Sequence, residues 1–185
     1  MRDATGENNL NGGGVAKGLV AGLVGGLVAS WVMNRFQDAW IGLAGSPSSG
    51  QEGQAGSQPA QKSSEEEQDD ATVKTASAIS EGLFDHKLTR SEKKVAGPLV
   101  HYAFGTAVGG LYGAAAELVP GVTTGAGLPF GAAFWLVADE TALPLLGLSK
   151  GPTAYPASTH VYALVSHFVY GLTAELVRRK VRDTL

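Results

Sequence analysis

Four long stretches of this chain carry no aspartate, glutamate, lysine or arginine, and they constrain its fold more than any other feature. They cover residues 18–34, 95–116, 118–138 and 151–174. A helix needs about 17 to 25 apolar residues to cross roughly 30 Å of hydrocarbon, and soluble core helices rarely run so long without a charge. The pattern therefore predicts an all-α membrane protein, a four-helix transmembrane bundle with the lipid bilayer as its partner.

Two of these stretches close on nearly the same sequence. Residues 112–119 read Tyr-Gly-Ala-Ala-Ala-Glu-Leu-Val and residues 170–177 read Tyr-Gly-Leu-Thr-Ala-Glu-Leu-Val, which agree at six of eight positions. The repetition favours two tandem helix-pair repeats, a common membrane architecture; chance agreement between Ala- and Leu-rich helices is the alternative. If the repeat is real, Glu117 and Glu175 lie on the same side of the membrane.

Changes in composition and a helix-capping motif divide the chain into segments. Residues 45–71 are rich in Gly, Ser, Gln and Glu, and such a segment buries too little apolar surface to fold. Thr89-Arg-Ser-Glu92 reads as a capping box that opens the second spanning helix. The third is expected from Val122 to Leu146 and the fourth from Ala157 to Arg182. The predicted units are a polar tail (1–13), transmembrane helix 1 (14–43), a disordered loop with a short amphipathic segment (44–88), and helices 2–4 with a basic tail (89–185).

Glycine recurs at four-residue intervals on the predicted helices. Small residues at this spacing let two helix backbones approach closely in lipid, although glycine is also simply frequent in membrane helices. The spacing predicts close helix packing, within the chain or between copies in a homo-oligomer. The candidate packing positions are Gly14, Gly18, Gly22, Gly26, Gly105, Gly109, Gly113, Gly127 and Gly131.

The composition excludes several classes of function. The chain has no cysteine, so thiolate metal sites and cysteine nucleophiles are ruled out. A formal net charge of −3 gives no electrostatic basis for binding nucleic acid. No nucleophile motif, phosphate loop or paired-histidine zinc motif is present. We therefore expect no enzyme activity, cofactor or metal, and an intramembrane enzyme is the least favoured class.

Ionisable residues inside the apolar stretches are candidates for chemistry, because they are costly in a membrane. Asp139 and Glu140 interrupt the third helix; either they face the bundle interior, or that helix ends near Ala138 and they lie among the headgroups. Histidines titrate near physiological pH, although many only hydrogen-bond a neighbouring helix. The candidate proton-exchanging residues are Asp139, Glu140, Glu117, His101, His160, His167 and Glu175.

Glu175 and Glu117 have different expected partners. Arg178 and Arg179 follow Glu175 by three and four residues, so they can pair with it on one helix face. Glu117 has no basic residue within a turn, and any partner must come from another helix.

The first apolar stretch has a second interpretation, as a secretory signal cleaved after Val28-Ala-Ser30. Because the polar tail also carries Asp3 and Glu7, and because the glycine-rich periodicity continues beyond this point, an uncleaved helix is preferred. Basic residues divide six against six between the two sides of a four-span chain. The dense cluster at residues 178–182 favours termini on the cytoplasmic side.

The second half of the chain contains three further motifs: Ala116-Glu-Leu-Val-Pro120, Pro144-Leu-Leu-Gly-Leu148, and Ser166-His-Phe-Val with Ala174-Glu-Leu-Val-Arg-Arg179. Through them, about residues 100–185 resemble the YagU-like bacterial inner-membrane proteins. It implies a multi-pass protein of the bacterial inner membrane, without assigned biochemical activity and linked to acid resistance. The expected function is a non-enzymatic envelope component in acid or stress tolerance. A small proton- or solute-conducting transporter is the alternative.

Overall fold

A computed structural model describes residues 4–44, 69–119 and 121–185, and every regular element in these ranges is helical. This confirms the all-α class predicted from the sequence. Most of the segment predicted to be a disordered loop, residues 45–68, lies outside the described residues. The elements are α1 (Ala4–Ala44), α2 (Ala71–Phe84), α3 (Arg90–Leu118), α4 (Leu128–Val137), a π-helical turn (Ala138–Ala142), α5 (Leu143–Leu145), a 3₁₀ turn (Pro152–Ala154) and α6 (Ala157–Arg182).

Helix α1 is the axis of the fold, and it packs against both α3 and α6. Gly18 of α1 lies against Gly113 of α3, whereas Gly26, further along α1, lies against Gly105, so these two helices are antiparallel. Helices α3 and α6 are parallel, because Tyr170 Oη donates to the Gly105 carbonyl at 2.5 Å at one level and Arg182 contacts Glu117 at another. The repeated Glu-Leu-Val sequences therefore reach the same end of the bundle, as the repeat predicts.

The contact between α1 and α3 is made by backbone. A Cβ atom built on Gly109 would lie 2.5 Å from Gly26 Cα and 2.6 Å from the Gly22 carbonyl oxygen. One built on Gly113 would lie 2.7 Å from Gly22 Cα. At the end of the row, a Cβ on Gly14 would meet only the Glu117 carboxylate, at 3.6 Å. The predicted glycines of these helices thus face one another, and from Gly18 to Gly26 the close spacing leaves no room for a methyl group.

A second row of small residues joins α4 to α6. A Cβ atom on Gly131 would lie 2.9 Å from the carbonyl carbon of His167, and one on Gly171 would lie 2.8 Å from the Gly131 nitrogen. Gly127 precedes α4 with φ of 84°, a conformation that favours glycine. This contact fixes the level of α4 on α6 and hence the partners of the residues that follow α4.

The predicted third helix, Val122 to Leu146, is wrong in its first six residues. Residues 121–127 form turns, with φ of 87° at Gly121, 75° at Gly125 and 54° at Ala126. Positive φ values end an α-helix, so α4 begins only at Leu128. The apolar composition of this stretch gave no sign of the break, because its glycines also suit a membrane helix.

Three other predicted features are confirmed. Thr89 and Glu92 form the capping box at the start of α3. The amphipathic segment in the predicted loop is α2, which buries Ala71 and Ala76 and packs on α3. The fourth predicted helix is α6, with the bounds expected from the sequence.

Several polar side chains are buried in this bundle beside its apolar core, and many large apolar side chains are exposed. Ser30, Ser166 and Glu175 are fully buried, whereas Trp31 and Leu111 are 55% and 68% exposed. Among the described residues, one helical segment, Gly13–Leu43, is long and apolar enough to cross a membrane. That test supports one of the four predicted spans and leaves the other three as predictions.

Candidate functional site

The site is built around the π-helical turn that follows α4. Its widened hydrogen bond runs from the Leu143 N–H to the Ala138 carbonyl, and the Thr141 hydroxyl donates to the Leu136 carbonyl at 2.8 Å. Pro144 has no N–H, and its ring would collide with the Glu140 carbonyl in a regular α-helix. The wider turn avoids that collision. It also carries the two acidic residues, Asp139 and Glu140. In proteins generally, π-helical turns are often found at functional sites.

Asp139 faces His167 on α6. The Asp139 Oδ2 atom is 3.7 Å from His167 Nε2, and the two side chains are only 14% and 6% exposed. His167 Nδ1 is 2.9 Å from the Ala163 carbonyl, a group that only accepts, so Nδ1 carries a hydrogen and donates. The remaining nitrogen, Nε2, therefore meets the carboxyl group. A proton gained by either side chain changes the charge next to the other.

Glu140 makes a second pair with His160, about two helical turns nearer the start of α6. His160 Nδ1 is 2.7 Å from Glu140 Oε1, and its Nε2 donates to the Pro152 carbonyl at 3.0 Å. Because both ring nitrogens face oxygen acceptors, the arrangement suits an imidazolium ring beside a carboxylate. The Glu140 side chain is 10% exposed. Both acidic residues therefore face the bundle interior, the first of the two alternatives that the sequence left open.

A cavity of about 260 Å³ adjoins the first of these pairs. Its wall is mostly apolar and includes Phe104, Phe134 and Leu143, with Asp139 and His167 on one side. His101 of α3 also lines it, so the cavity gathers three of the predicted titratable residues. The cavity lies in the half of the bundle that contains α2 and is remote from Arg182.

Two candidate residues lie at the opposite end of the bundle, in ion pairs. Glu117 accepts from Arg182 Nε at 2.7 Å and from its Nη2 at 3.1 Å. Its predicted partner on another helix is thus found. The Arg182 hydrogen bonds lower the pKa of Glu117 below its ordinary value. Glu175 is fully buried and bonds to both Arg178 and Arg179, the pairing that its helix spacing predicts. These carboxylates are neutralised by arginine, which makes a structural role the simplest account of them.

The pairing across helices was missed by sequence reasoning. The seven-residue spacing of His160 and His167 and the adjacency of Asp139 and Glu140 were visible, but nothing local indicated that one pair opposes the other. Gln37 was also missed. It is 5% exposed, its Oε1 atom has no hydrogen-bond partner, and it lines the cavity. A polar residue three positions after Asn34, near the end of a glycine-spaced helix, was the only available signal.

The described residues contain no group of three or more histidine, aspartate or glutamate side chains placed to hold a metal ion.

Comparison with known families gives one match. The profile of a family described as a protein of unknown function, DUF1440, matches residues 70–176, which is more than half of the chain. The matched region contains α2 to α5 and most of α6. It includes both acid–histidine pairs and the cavity residues that these elements contribute. No curated protein and no solved structure matches the chain.

Proposed function

The chain belongs to the DUF1440 family, and we propose that it is a YagU-like, multi-pass protein of the bacterial inner membrane that contributes to acid or stress tolerance without enzymatic activity. In this proposal the two acid–histidine pairs bind and release protons inside the bundle. The bundle is a four-helix transmembrane assembly with its termini on the cytoplasmic side. The YagU-like proteins fall within this family, which supports the resemblance at that level.

Membrane insertion is supported by the distribution of side chains. Large apolar residues are exposed on each long helix, for example Leu27 on α1, Phe104 on α3 and Leu176 on α6. Soluble proteins rarely expose large apolar patches, whereas lipid would cover apolar side chains such as these. Helices α3 and α6 have 29 and 26 residues. At about 1.5 Å per residue, each is longer than the roughly 30 Å of a bilayer core.

The helical segment from α4 to α5 is shorter than α3 and α6. From α4 through α5 the helical turns cover residues 128–145, about 27 Å at a similar rise. The turns at residues 121–127 lie at the Arg182 end, where irregular backbone can meet water or headgroups rather than lipid tails. Four spans are therefore compatible with the helix lengths, although the third is broken at its start and widened in its middle.

The observation that carries the proton-exchange proposal is the face-to-face arrangement of Asp139 and Glu140 with His167 and His160. Each pair holds a carboxyl group and an imidazole ring in a protein interior, where gain of one proton changes the local charge without water to screen it. Such pairs can register external pH if protons reach them. The Asp139 pair also lines the adjoining cavity.

The proposal is tested by replacing both acidic residues, Asp139→Asn with Glu140→Gln. These changes keep the side-chain shapes and remove the exchangeable carboxyl protons. We expect the double variant to insert and accumulate like the wild type but to lose any protection of cells at low pH. A matched control replaces two exposed carboxylates, Glu81→Gln with Asp183→Asn. Equal survival at low pH of cells carrying the wild type and cells carrying the first double variant would exclude the acid–histidine pairs from the function.

A proton- or solute-conducting transporter is the second candidate, and the cavity favours it. A cavity bordered by titratable side chains is what a solute or proton path needs, whereas a purely structural bundle needs none. Purified protein in liposomes under a controlled pH gradient separates the two candidates. Flux that disappears in the Asp139→Asn variant supports transport; no flux above empty liposomes supports the non-conducting envelope component.

A further inference from the structure

The cavity has a well-defined place in the fold. It is lined by Ser30, Met33 and Gln37 of α1, together with residues of the π turn and of α6. Its volume, about 260 Å³, is slightly below the roughly 300 to 1,000 Å³ of pockets for drug-sized ligands. The space suits a molecule with a small body rather than a lipid or a peptide.

Most hydroxyl groups that line the cavity already donate a hydrogen bond within the protein. Ser30 donates to the Gly26 carbonyl at 2.9 Å, Thr75 to the Ala71 carbonyl at 2.7 Å and Tyr170 to the Gly105 carbonyl at 2.5 Å. These hydroxyls have used their single hydrogen on the protein itself. They offer a ligand no donor.

The polar atoms left over are acceptors. Gln37 Oε1 and His101 Nε2 are buried and have no hydrogen-bond partner among the described residues. The His101 ring interacts with the Ser30 backbone carbonyl, which only accepts, so its other nitrogen carries the hydrogen and Nε2 presents a lone pair in the neutral ring. The Asp139 carboxyl group adds two further oxygen atoms to the cavity lining. Buried polar atoms without partners are costly, and a ligand that donates hydrogen bonds would satisfy them.

The charge on the wall selects the sign of the ligand. No lysine or arginine lines the cavity among the described residues, whereas Asp139 does. An anion would meet a carboxylate with no fixed cation to hold it. A cation would gain the Asp139 carboxyl group, the Gln37 oxygen and the nearby rings of Phe104 and Phe134, since aromatic rings attract cations.

We propose that this cavity binds a small organic cation, a primary ammonium group carried on a short apolar or aromatic body. The ammonium group donates to Asp139, Gln37 and His101, and the body packs against Phe104, Phe134 and Leu143. This inference goes beyond acid tolerance and names a solute class for the transport alternative. Binding itself needs neither transport nor proton exchange.

The test uses the full chain, purified in a neutral detergent, and isothermal titration calorimetry. The probes are three compounds of similar shape that differ in charge: 2-phenylethylammonium, 2-phenylethanol and 3-phenylpropionate. We expect saturable binding of the ammonium compound, with the alcohol and the carboxylate at least tenfold weaker. Equal binding of the alcohol, or no saturable binding of the ammonium compound, would overturn the proposal.

Two variants locate the binding site. Ala142 lines the cavity, so Ala142→Leu should fill it and weaken ammonium binding at least tenfold, whereas Ala133→Leu, on the exposed side of α4, should leave binding unchanged. Asp139→Asn should remove the preference for the ammonium compound over the alcohol. Undiminished binding in the Ala142→Leu variant would place the ligand elsewhere and refute the assignment. If cells carrying the wild-type protein survive acid no better than cells without it, while the purified protein still binds the ammonium compound, the result would count against the proposed function alone.

Discussion

The contact between α1 and α3 makes a quantitative prediction about a single methyl group. Gly109 lies at the centre of the row, and the Cβ atom of Gly109→Ala would lie 2.5 Å from Gly26 Cα and 2.6 Å from the Gly22 oxygen. Carbon atoms in contact prefer about 3.5 to 4.0 Å. Both obstacles are backbone atoms, which cannot rotate away, so the two helices must separate by about 1 Å at this level.

The free-energy change has two opposing parts. Overpacking of this kind typically costs about 1 to 3 kcal/mol, and a gap of up to about 1 Å forfeits a quarter to a half of the dispersion energy of the contacts it opens. Alanine favours the helix over glycine by about 1 kcal/mol. We therefore expect Gly109→Ala to lower the free energy of unfolding, by up to about 2 kcal/mol on these figures.

Gly42→Ala is the matched control. Gly42 belongs to α1, and no atom would lie within 4 Å of a Cβ built on it. This substitution has no steric penalty and should be neutral or stabilising, by at most about 1 kcal/mol. Replacement of glycine by alanine is thus expected to lower the free energy of unfolding at Gly109 and to leave it unchanged or raise it at Gly42.

The measurement is reversible unfolding in mixed detergent micelles, followed by far-ultraviolet circular dichroism. The free energies of unfolding of wild type, Gly109→Ala and Gly42→Ala are compared at one detergent composition. If Gly109→Ala were as stable as the wild type or more stable, the backbone contact between α1 and α3 would be refuted. A destabilised Gly42→Ala variant would show that the method reports glycine replacement in general.

Two further predictions concern charged groups outside the apolar segments. The Thr89 hydrogen bonds lower the pKa of Glu92 from 4.5 to about 2, so its stabilising contribution is complete above pH 4.5 and is lost as pH falls toward 2. A carbon-13 titration should show this low midpoint in the wild type and a higher one in Thr89→Ala; a wild-type midpoint near 4.5 would contradict the capping box. At the other end, Arg182 lowers the pKa of Glu117, so that ion pair stabilises the fold above the ordinary pKa of glutamate and weakens as pH falls through the lowered value. Arg182→Gln should therefore reduce the loss of folding stability that occurs as pH falls from about 7 into the acid range. Lys180→Gln, which changes an exposed residue on the same turn, should not. Identical dependence of stability on pH in wild type and Arg182→Gln would rule out the pair as a source of stability.

Local sequence signals determined most of the helical elements. The capping box placed the start of α3 at Thr89, because its side chains satisfy backbone groups within one turn. The charge-free stretch ending in arginines placed α6 over residues 157–182. The glycine spacing identified the faces that α1 and α3 present to each other, since residues four apart lie on one side of a helix. The repeat likewise predicted that Glu117 and Glu175 reach one end.

The candidate site depended on tertiary structure. Asp139 and Glu140 acquire their histidine partners only because Gly127 and Gly131 fix the level of α4 on α6, and because Pro144 favours a π turn where a regular helix was expected. The cavity lies among residues more than a hundred positions apart, from Gln37 to His167. The periodicity of a sequence shows which face of a helix carries small or apolar residues. It does not show the height of that helix, meaning its position along the axis of a neighbouring helix. That height is set by backbone contact over the whole interface, and it decides which carboxyl group meets which imidazole ring.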